Sequence, residues 1–185
     1  MLFYYSVVIR NLSRRVCNDQ LTGFNEKTRP PSHFSPSFSS DFEGGNLHCA
    51  FKCKKSNFYY LFLQDDINTH GYSIWFHFNV HSIHQGKYQF VIVNMTRPIK
   101  FCEDVRLLTY SSISKKYERK VRIKCVESSF RNCSTQKKYF CLHFQYEFRQ
   151  GETVYFSAAP PYSFTKVANL LEEIEKTYSK TKVTV

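Results

Sequence analysis

The sequence has little of what marks several common protein classes. Its 185 residues include only 6 glycines, 6 prolines, 2 methionines and 1 tryptophan, which excludes collagen-like and low-complexity chains. No apolar run is long enough to cross a bilayer as a helix. The apolar run at residues 2–9 is short and has no basic region before it. We therefore predict neither a signal peptide nor a membrane-spanning segment.

The cysteines do not form a disulfide framework. There are 7 of them, an odd number, and they are scattered through strand-like sequence. This usage is typical of reduced thiols in a cytosolic protein rather than of a disulfide-stabilised secreted domain. The sequence therefore predicts a cytoplasmic protein.

Motifs of the common catalytic and metal sites are also missing. No histidine is followed three residues later by glutamate, so the ligand pair of the usual zinc peptidases is absent. There is no GxSxG sequence and no Walker loop. His77 and His81 would share one face of a strand but lie roughly 13 Å apart, and Cys49 and Cys53 have no second pair at zinc-finger spacing. We predict no catalytic residue, no metal site and no cofactor in this chain.

What the sequence does contain is aromatic and basic. Phenylalanine (18) and tyrosine (13) are abundant, and both favour pleated, half-buried surfaces, so the composition predicts β-structure. The formal net charge is +11, which attracts acidic partners such as nucleic acid or acidic peptide tails.

The positive charge is concentrated in one region. Residues 100–138 hold eleven cationic and four anionic side chains and carry +7 of the total. On a strand, Lys120, Arg122 and Lys124 point to the same side, and Arg119 precedes them. This pattern fits two interpretations, a solvated sheet face or a surface that attracts an acidic polymer.

Alternation of apolar and polar residues predicts strands at residues 74–81, 88–93, 121–125 and 140–148. A short apolar run predicts a strand at residues 58–63, and the turn at residues 150–152 leads into a further one at 154–156. The short gap between residues 74–81 and 88–93 predicts a hairpin. Together these strands predict an all-β fold, an antiparallel β-sandwich.

Composition divides the chain into three parts. Residues 1–36 are predicted to form a poorly ordered leader, because residues 28–36 are rich in proline and serine. Residues 37–162 are predicted to form the β-sandwich. In residues 163–179 the apolar residues recur at helical spacing, which predicts one C-terminal amphipathic helix whose apolar stripe needs a partner surface.

From residue 38 onward, a series of short motifs resembles a known family. These are Ser-Asp-Phe-Glu-Gly-Gly-Asn-Leu at 40–47, Asp-Ile-Asn-Thr at 66–69, Trp-Phe-His-Phe-Asn-Val at 75–80, Tyr-Gln-Phe-Val-Ile-Val-Asn at 88–94, Tyr-Ser at 110–111 and Pro-Tyr-Ser-Phe-Thr at 161–165. In order and spacing they are similar to the N-terminal domain of the cytosolic carboxypeptidases, zinc peptidases that shorten polyglutamate on tubulin and other proteins. Gly44 and Ile74 replace the family's usual Ser and Gln, which marks a diverged member or one under relaxed constraint.

The resemblance assigns a structural role to a set of motif residues. They are Phe42, Glu43, Gly45, Asn46, Leu47, Asp66, Asn68, Trp75, Phe76, Asn94, Tyr110, Pro161 and Tyr162. In the family this domain is non-catalytic and precedes a longer peptidase domain, which holds the zinc and the catalytic glutamate.

The resemblance thus implies a domain that supports a carboxypeptidase catalytic domain, with the terminal helix leading towards it. The implied substrates are acidic tails such as glutamylated tubulin, drawn in by the basic residues named above. The alternative is a free-standing basic module that binds acidic tails or, less favoured, nucleic acid. We expect no membrane partner.

Overall fold

The computed structural model of the chain describes residues 22–25, 36–52, 58–65, 72–97, 106–131 and 138–180. Within these ranges the chain forms ten strands and one helix. The strands are β1 (Thr22–Asn25), β2 (Ser37–Ser39), β3 (Leu47–Lys52), β4 (Phe58–Leu63), β5 (His77–Ser82), β6 (Gly86–Met95), β7 (Arg106–Ser111), β8 (Tyr117–Arg131), β9 (Lys138–Phe148) and β10 (Glu152–Ser157), and the helix is α1 (Phe164–Lys180).

The strands form one continuous, barrel-like sheet in the order β1-β3-β4-β6-β9-β8-β7-β10-β5-β2. The predicted mostly-β fold with one C-terminal helix is confirmed, but the antiparallel sandwich is not. The pairing of β4 with β6 is parallel, so the sheet is mixed. The long strand β8 pairs with β7 as far as Arg122 and with β9 from Ile123 onward. Because β8 pairs with strands of both halves, the sheet curls around its main core instead of separating into two layers.

The predicted hairpin between the two runs at 74–81 and 88–93 is wrong. β5 pairs with β2 and β10, whereas β6 pairs with β4 and β9. The short link at residues 83–85 therefore carries the chain from one half of the sheet to the other. Link length alone does not distinguish a hairpin from such a crossing over the core.

Aromatic side chains from both halves fill the core. Phe90 of β6 is fully buried, with its ring centroid 5.1 Å from that of Phe144 on β9 and 6.0 Å from that of Phe156 on β10. Burying one such side chain stabilises a fold by roughly 1.5–3 kcal/mol. The phenylalanine-rich composition thus supplies the contacts that hold the two halves together.

Helix α1 begins where the sequence predicts it. The Ser163 hydroxyl accepts a hydrogen bond from the Lys166 backbone N–H at 3.3 Å, which is the usual N-cap arrangement. At the N-terminal end, the predicted poorly ordered leader contains a strand, because β1 lies within residues 1–36 and pairs with β3. The rest of the leader lies outside the described residues.

Candidate functional site

The basic residues singled out in the sequence lie exposed on β8. Lys120, Arg122 and Lys124 are exposed, whereas Val121 between them is 5% exposed and faces the core. Leu107 pairs with Val121 and Leu108 with Arg119, so Lys120 is an extra residue in the ladder. This bulge brings Arg119 out beside Lys120, because a bulge interrupts the alternation of the strand. The exposure of Arg119 could not be read from period-two alternation.

The same strand borders an open groove, which we call the β8–β9 fork. The ladder between the two strands begins at the pair Ile123–Phe144 and continues away from the fork. On the other side of that pair, β8 turns towards β7 while β9 stays with β6. The two strands therefore separate, and the space between them is a groove of about 710 Å³.

Positive charge predominates along the fork. Its charged lining residues are Lys120, Arg122, Lys124, Arg149, Glu147 and Glu152. The cations thus outnumber the carboxylates four to two. His143 also lines the groove, and burial together with the nearby Lys124 lowers its pKa, so the ring is neutral at physiological pH.

Glu152 forms the floor of the fork and is 3% exposed. Its carboxylate accepts hydrogen bonds from the Ser111 hydroxyl, from the Tyr146 hydroxyl at 3.3 Å and from the Arg149 backbone N–H at 2.9 Å. A buried carboxyl group that is bonded in this way is held in a fixed position. Sequence analysis did not single out Glu152 or Arg149, since nothing in a strand pattern shows where two strands separate.

Two asparagines of the family-like motifs hold main chain at one end of the barrel. The Asn94 side-chain amide donates to Leu63 O and accepts from Leu63 N, both at 2.9 Å. The Asn46 side chain donates to Trp75 O at 2.7 Å and accepts from His77 N at 2.9 Å. Each amide therefore mimics a strand partner.

These contacts join into a ring. The Ser73 hydroxyl donates to Asn94 O, and Gln64 N donates to Asn46 O at 2.7 Å. The ring thus links the ends of β4 and β6 to the segments before β3 and β5. Asn46, Asn94 and Trp75 were singled out separately in the sequence, and the structure brings them together.

A second set of motif residues belongs to an aromatic row on the outer face of the sheet. We define the row as Phe42, His77, Tyr155, Tyr110 and Tyr117. Neighbouring ring centroids lie 4.8 Å apart for Phe42 and His77 and 5.0 Å apart for Tyr110 and Tyr117. The row ends at Tyr117, which is 58% exposed.

Glu43 lies next to the row and connects it to helix α1. Its carboxylate accepts a hydrogen bond from Thr165 N at 2.8 Å. Helix α1 in turn exposes most of its apolar stripe, in which Val167 is half-buried. The exposed apolar side chains are Phe164, Leu170, Leu171, Ile174 and Tyr178, at 41–79%.

The remaining motif residues have ordinary structural positions. Leu47 and Phe76 are buried in the core. Pro161 is half-buried and Tyr162 is 63% exposed. Asp66 and Asn68, and the turn predicted around them, lie outside the described residues.

The fit of a metal can be tested on the described ranges. There, no three His, Cys, Asp or Glu side chains lie close enough together to hold a metal ion. The zinc that the resemblance implies for the family therefore does not fit this part of the chain. Helix α1 is the sole helix among the described residues, and it is not long and apolar enough to cross a membrane.

Comparison with known proteins gives a consistent family. A family model for the cytosolic carboxypeptidase N-terminal domain matches residues 38–158. Cytosolic carboxypeptidase 1 of Mus musculus is 27% identical over 171 residues, which are 84% of this chain and 14% of the mouse protein. Cytosolic carboxypeptidase 1 of Homo sapiens is 27% identical over 161 residues, 79% of this chain and 13% of the human protein. The chain thus spans a small part of the length of these curated relatives.

Solved structures share the fold. A putative carboxypeptidase A from Shewanella denitrificans has a TM-score of 0.54 at 17% identity, over 75% of this chain and 33% of that one. A metallo-carboxypeptidase from Burkholderia cenocepacia has a TM-score of 0.54 at 14% identity, over 76% of this chain and 34% of that one. With the family model matching residues 38–158, the chain belongs to the family of cytosolic carboxypeptidase N-terminal domains.

Proposed function

We propose that this chain is the non-catalytic N-terminal domain of a cytosolic carboxypeptidase and that it supports the catalytic domain by packing against it. The observation that carries the proposal is the exposed apolar stripe of helix α1. Leu171 is 55% exposed and Tyr178 is 73% exposed. A stripe of this kind is stabilised by burial against another surface.

The docking surface that we propose consists of this stripe and the aromatic row. Glu43 joins the two, because it follows Phe42 of the row and binds the first turn of the helix. The occupant is the catalytic domain, since the family model covers only an N-terminal domain and the mouse relative is far longer than the matched region. The cationic residues Lys120, Arg122 and Lys124 are not part of this surface.

The whole enzyme would act on the carboxyl ends of proteins. We propose that it removes glutamates from acidic tails, such as those of glutamylated tubulin, and that it does so in the cytoplasm. The names of the curated relatives support a carboxypeptidase of the cytosol, and the cationic β8 residues support an acidic substrate. The zinc and the catalytic glutamate would belong to the catalytic domain, so this chain performs no chemical step.

The first experiment is to sequence the full-length transcript and express the catalytic domain that follows this chain. If the frame ends at residue 185, the same organism's cytosolic carboxypeptidase catalytic domain is used. We expect the two parts to elute together in size-exclusion chromatography. Leu171→Glu should abolish co-elution, whereas Asn169→Glu, which adds the same charge to the same helix, should leave it unchanged. Separate elution of the unmodified parts would contradict the proposal.

A further inference from the structure

We propose that the β8–β9 fork binds an extended acidic peptide, whose backbone pairs with a strand edge and whose carboxylates contact the cationic side chains of the groove. The biological setting of this inference, a glutamate-rich protein tail, rests on the proposed function. The binding site itself rests on the geometry of the fork alone.

At the fork, β8 and β9 each have a strand edge that no described strand pairs with. Before Ile123, β8 pairs with β7 on one side, and after Phe144, β9 pairs with β6 on one side. Successive residues of a strand direct their N–H and C=O groups to alternate edges. Each strand therefore presents one edge of main-chain groups to the groove, and no described strand pairs with either edge there. Such an edge is where an extended peptide adds.

The cationic side chains of the fork complement the carboxylates of an acidic peptide. Lys120 and Arg122 flank Val121 on the part of β8 that β9 does not pair with, so their spacing of two residues matches the side-chain repeat of a strand lying beside them. Lys124 lines the groove where β9 begins to pair with β8. Lys120 already forms an ion pair with Glu118, but both partners are largely exposed. An exposed pair of this kind is worth about 0–1 kcal/mol, so a peptide carboxylate can replace Glu118.

The hydrogen-bonding groups of the strand edges favour a peptide over nucleic acid. A strand edge offers both N–H donors and C=O acceptors, and a peptide backbone satisfies both. A phosphodiester backbone offers acceptors only, so the edge carbonyls would lose water without gaining a partner. Gln89 and Gln145 also line the groove, and their amides can donate and accept in the same way.

The test uses the full chain and a fluorescently labelled oligoglutamate peptide, with anisotropy measured at low salt. Arg122→Glu should weaken binding by about tenfold or more, because an attractive contact becomes a repulsive one. Lys166→Glu makes the same charge change on helix α1, outside the groove, and should have a much smaller effect. Binding should weaken as salt rises. Hydrogen exchange should slow at residues 119–122 and 145–148 when the peptide is bound.

Three results would overturn the inference. Equal losses in the two variants would mean that net charge, not the groove, attracts the peptide. Tighter binding of a single-stranded oligonucleotide of equal charge would mean that the site prefers nucleic acid. Unchanged exchange at both strand edges would exclude strand pairing. Because Arg122 lies outside the docking surface, Arg122→Glu should still co-elute with the catalytic domain, so failure here is distinguishable from failure of the proposed function.

Discussion

The carboxylate of Glu43 accepts a hydrogen bond from the backbone N–H of Thr165, across 122 residues of sequence. The first N–H groups of a helix have no partner within the helix, and a carboxylate satisfies one of them and complements the helix dipole. These hydrogen bonds from the first turn of α1 hold the pKa of Glu43 below its usual value of 4.5. Glu43 thus fixes where helix α1 leaves the barrel.

We expect Glu43→Ala to release the start of helix α1 while leaving the barrel folded. The Thr165 amide should then exchange faster with solvent, as measured by hydrogen exchange. Asp41→Ala, an exposed carboxylate on the same segment, serves as the control and should have no effect on Thr165. Because the folded pKa of Glu43 is lowered, its contribution is complete above pH 4.5 and is lost as the pH falls through the lowered value. Equal exchange in both variants would contradict this role.

Asn94→Ala should destabilise the barrel. The substitution leaves the backbone N–H and C=O of Leu63 without their side-chain partner at a fully buried position. Each of the two buried groups left unsatisfied costs about 1–3 kcal/mol, so the free energy of unfolding in urea should fall by about 2–6 kcal/mol. Gln89→Ala, exposed on the same strand, should change it by less than about 0.5 kcal/mol. A similar small change for Asn94→Ala would show that water replaces the amide.

Gly45→Ala should also destabilise the fold, for a steric reason. A Cβ added at Gly45 would lie 2.1 Å from the backbone oxygen of Ser40, so the turn between residues 40 and 45 would have to open. Overpacking of this kind costs about 1–3 kcal/mol, which should appear as a lower thermal midpoint. Gly151→Ala is a useful comparison, because its added Cβ meets no atom within 4 Å but its φ is +70°. A larger loss at Gly151 than at Gly45 would contradict the steric account.

His77 should make the stability of the fold depend on pH. The side chain is 8% exposed, and burial lowers its pKa from 6.5. No described residue bonds its Nδ1 atom. Since the unfolded chain takes up this proton more readily, stability is complete above pH 6.5 and decreases as the pH falls below it.

In His77→Phe the free energy of unfolding should change less between pH 7 and pH 5 than in the unmodified chain. The phenyl ring can keep the edge contact with Phe42, and the backbone bond to Asn46 does not involve the ring. His84→Phe, at an exposed position, should retain the original pH dependence. An unchanged slope in His77→Phe would show that this histidine takes up its proton equally well in the folded chain.

Much of the fold could be predicted from local patterns. An apolar run located the strand at residues 58–63, alternation located the strand at 140–148 and helical spacing located α1, because these patterns report which parts of an element are buried. Alternation does not report which strands pair, so the crossing of β8 between the two halves and the parallel pairing of β4 with β6 were missed. The hairpin between β5 and β6 was predicted wrongly for the same reason, because alternation does not show which strands pair.

The candidate sites were predictable only in part. The alternating cations on β8 were visible in the sequence, but the fork beside them depends on where β8 leaves β9, which is a tertiary property. The motif asparagines Asn46 and Asn94 were recognised by resemblance, while their joint ring around the barrel end required the structure. Arg149 and Glu152 gave no signal, because a charged residue in a turn is most often simply solvated.

The most direct test of the central claim is hydrogen exchange on this chain, alone and combined with the carboxypeptidase catalytic domain. If the domain packs through the docking surface, exchange should slow at residues 164–178 and around Tyr110, Tyr117 and Tyr155. The helix amides should be affected most, because α1 is almost wholly exposed in the isolated chain. Unchanged exchange in these segments, with the catalytic domain folded and in excess, would contradict the claim that this chain supports a catalytic domain through that surface.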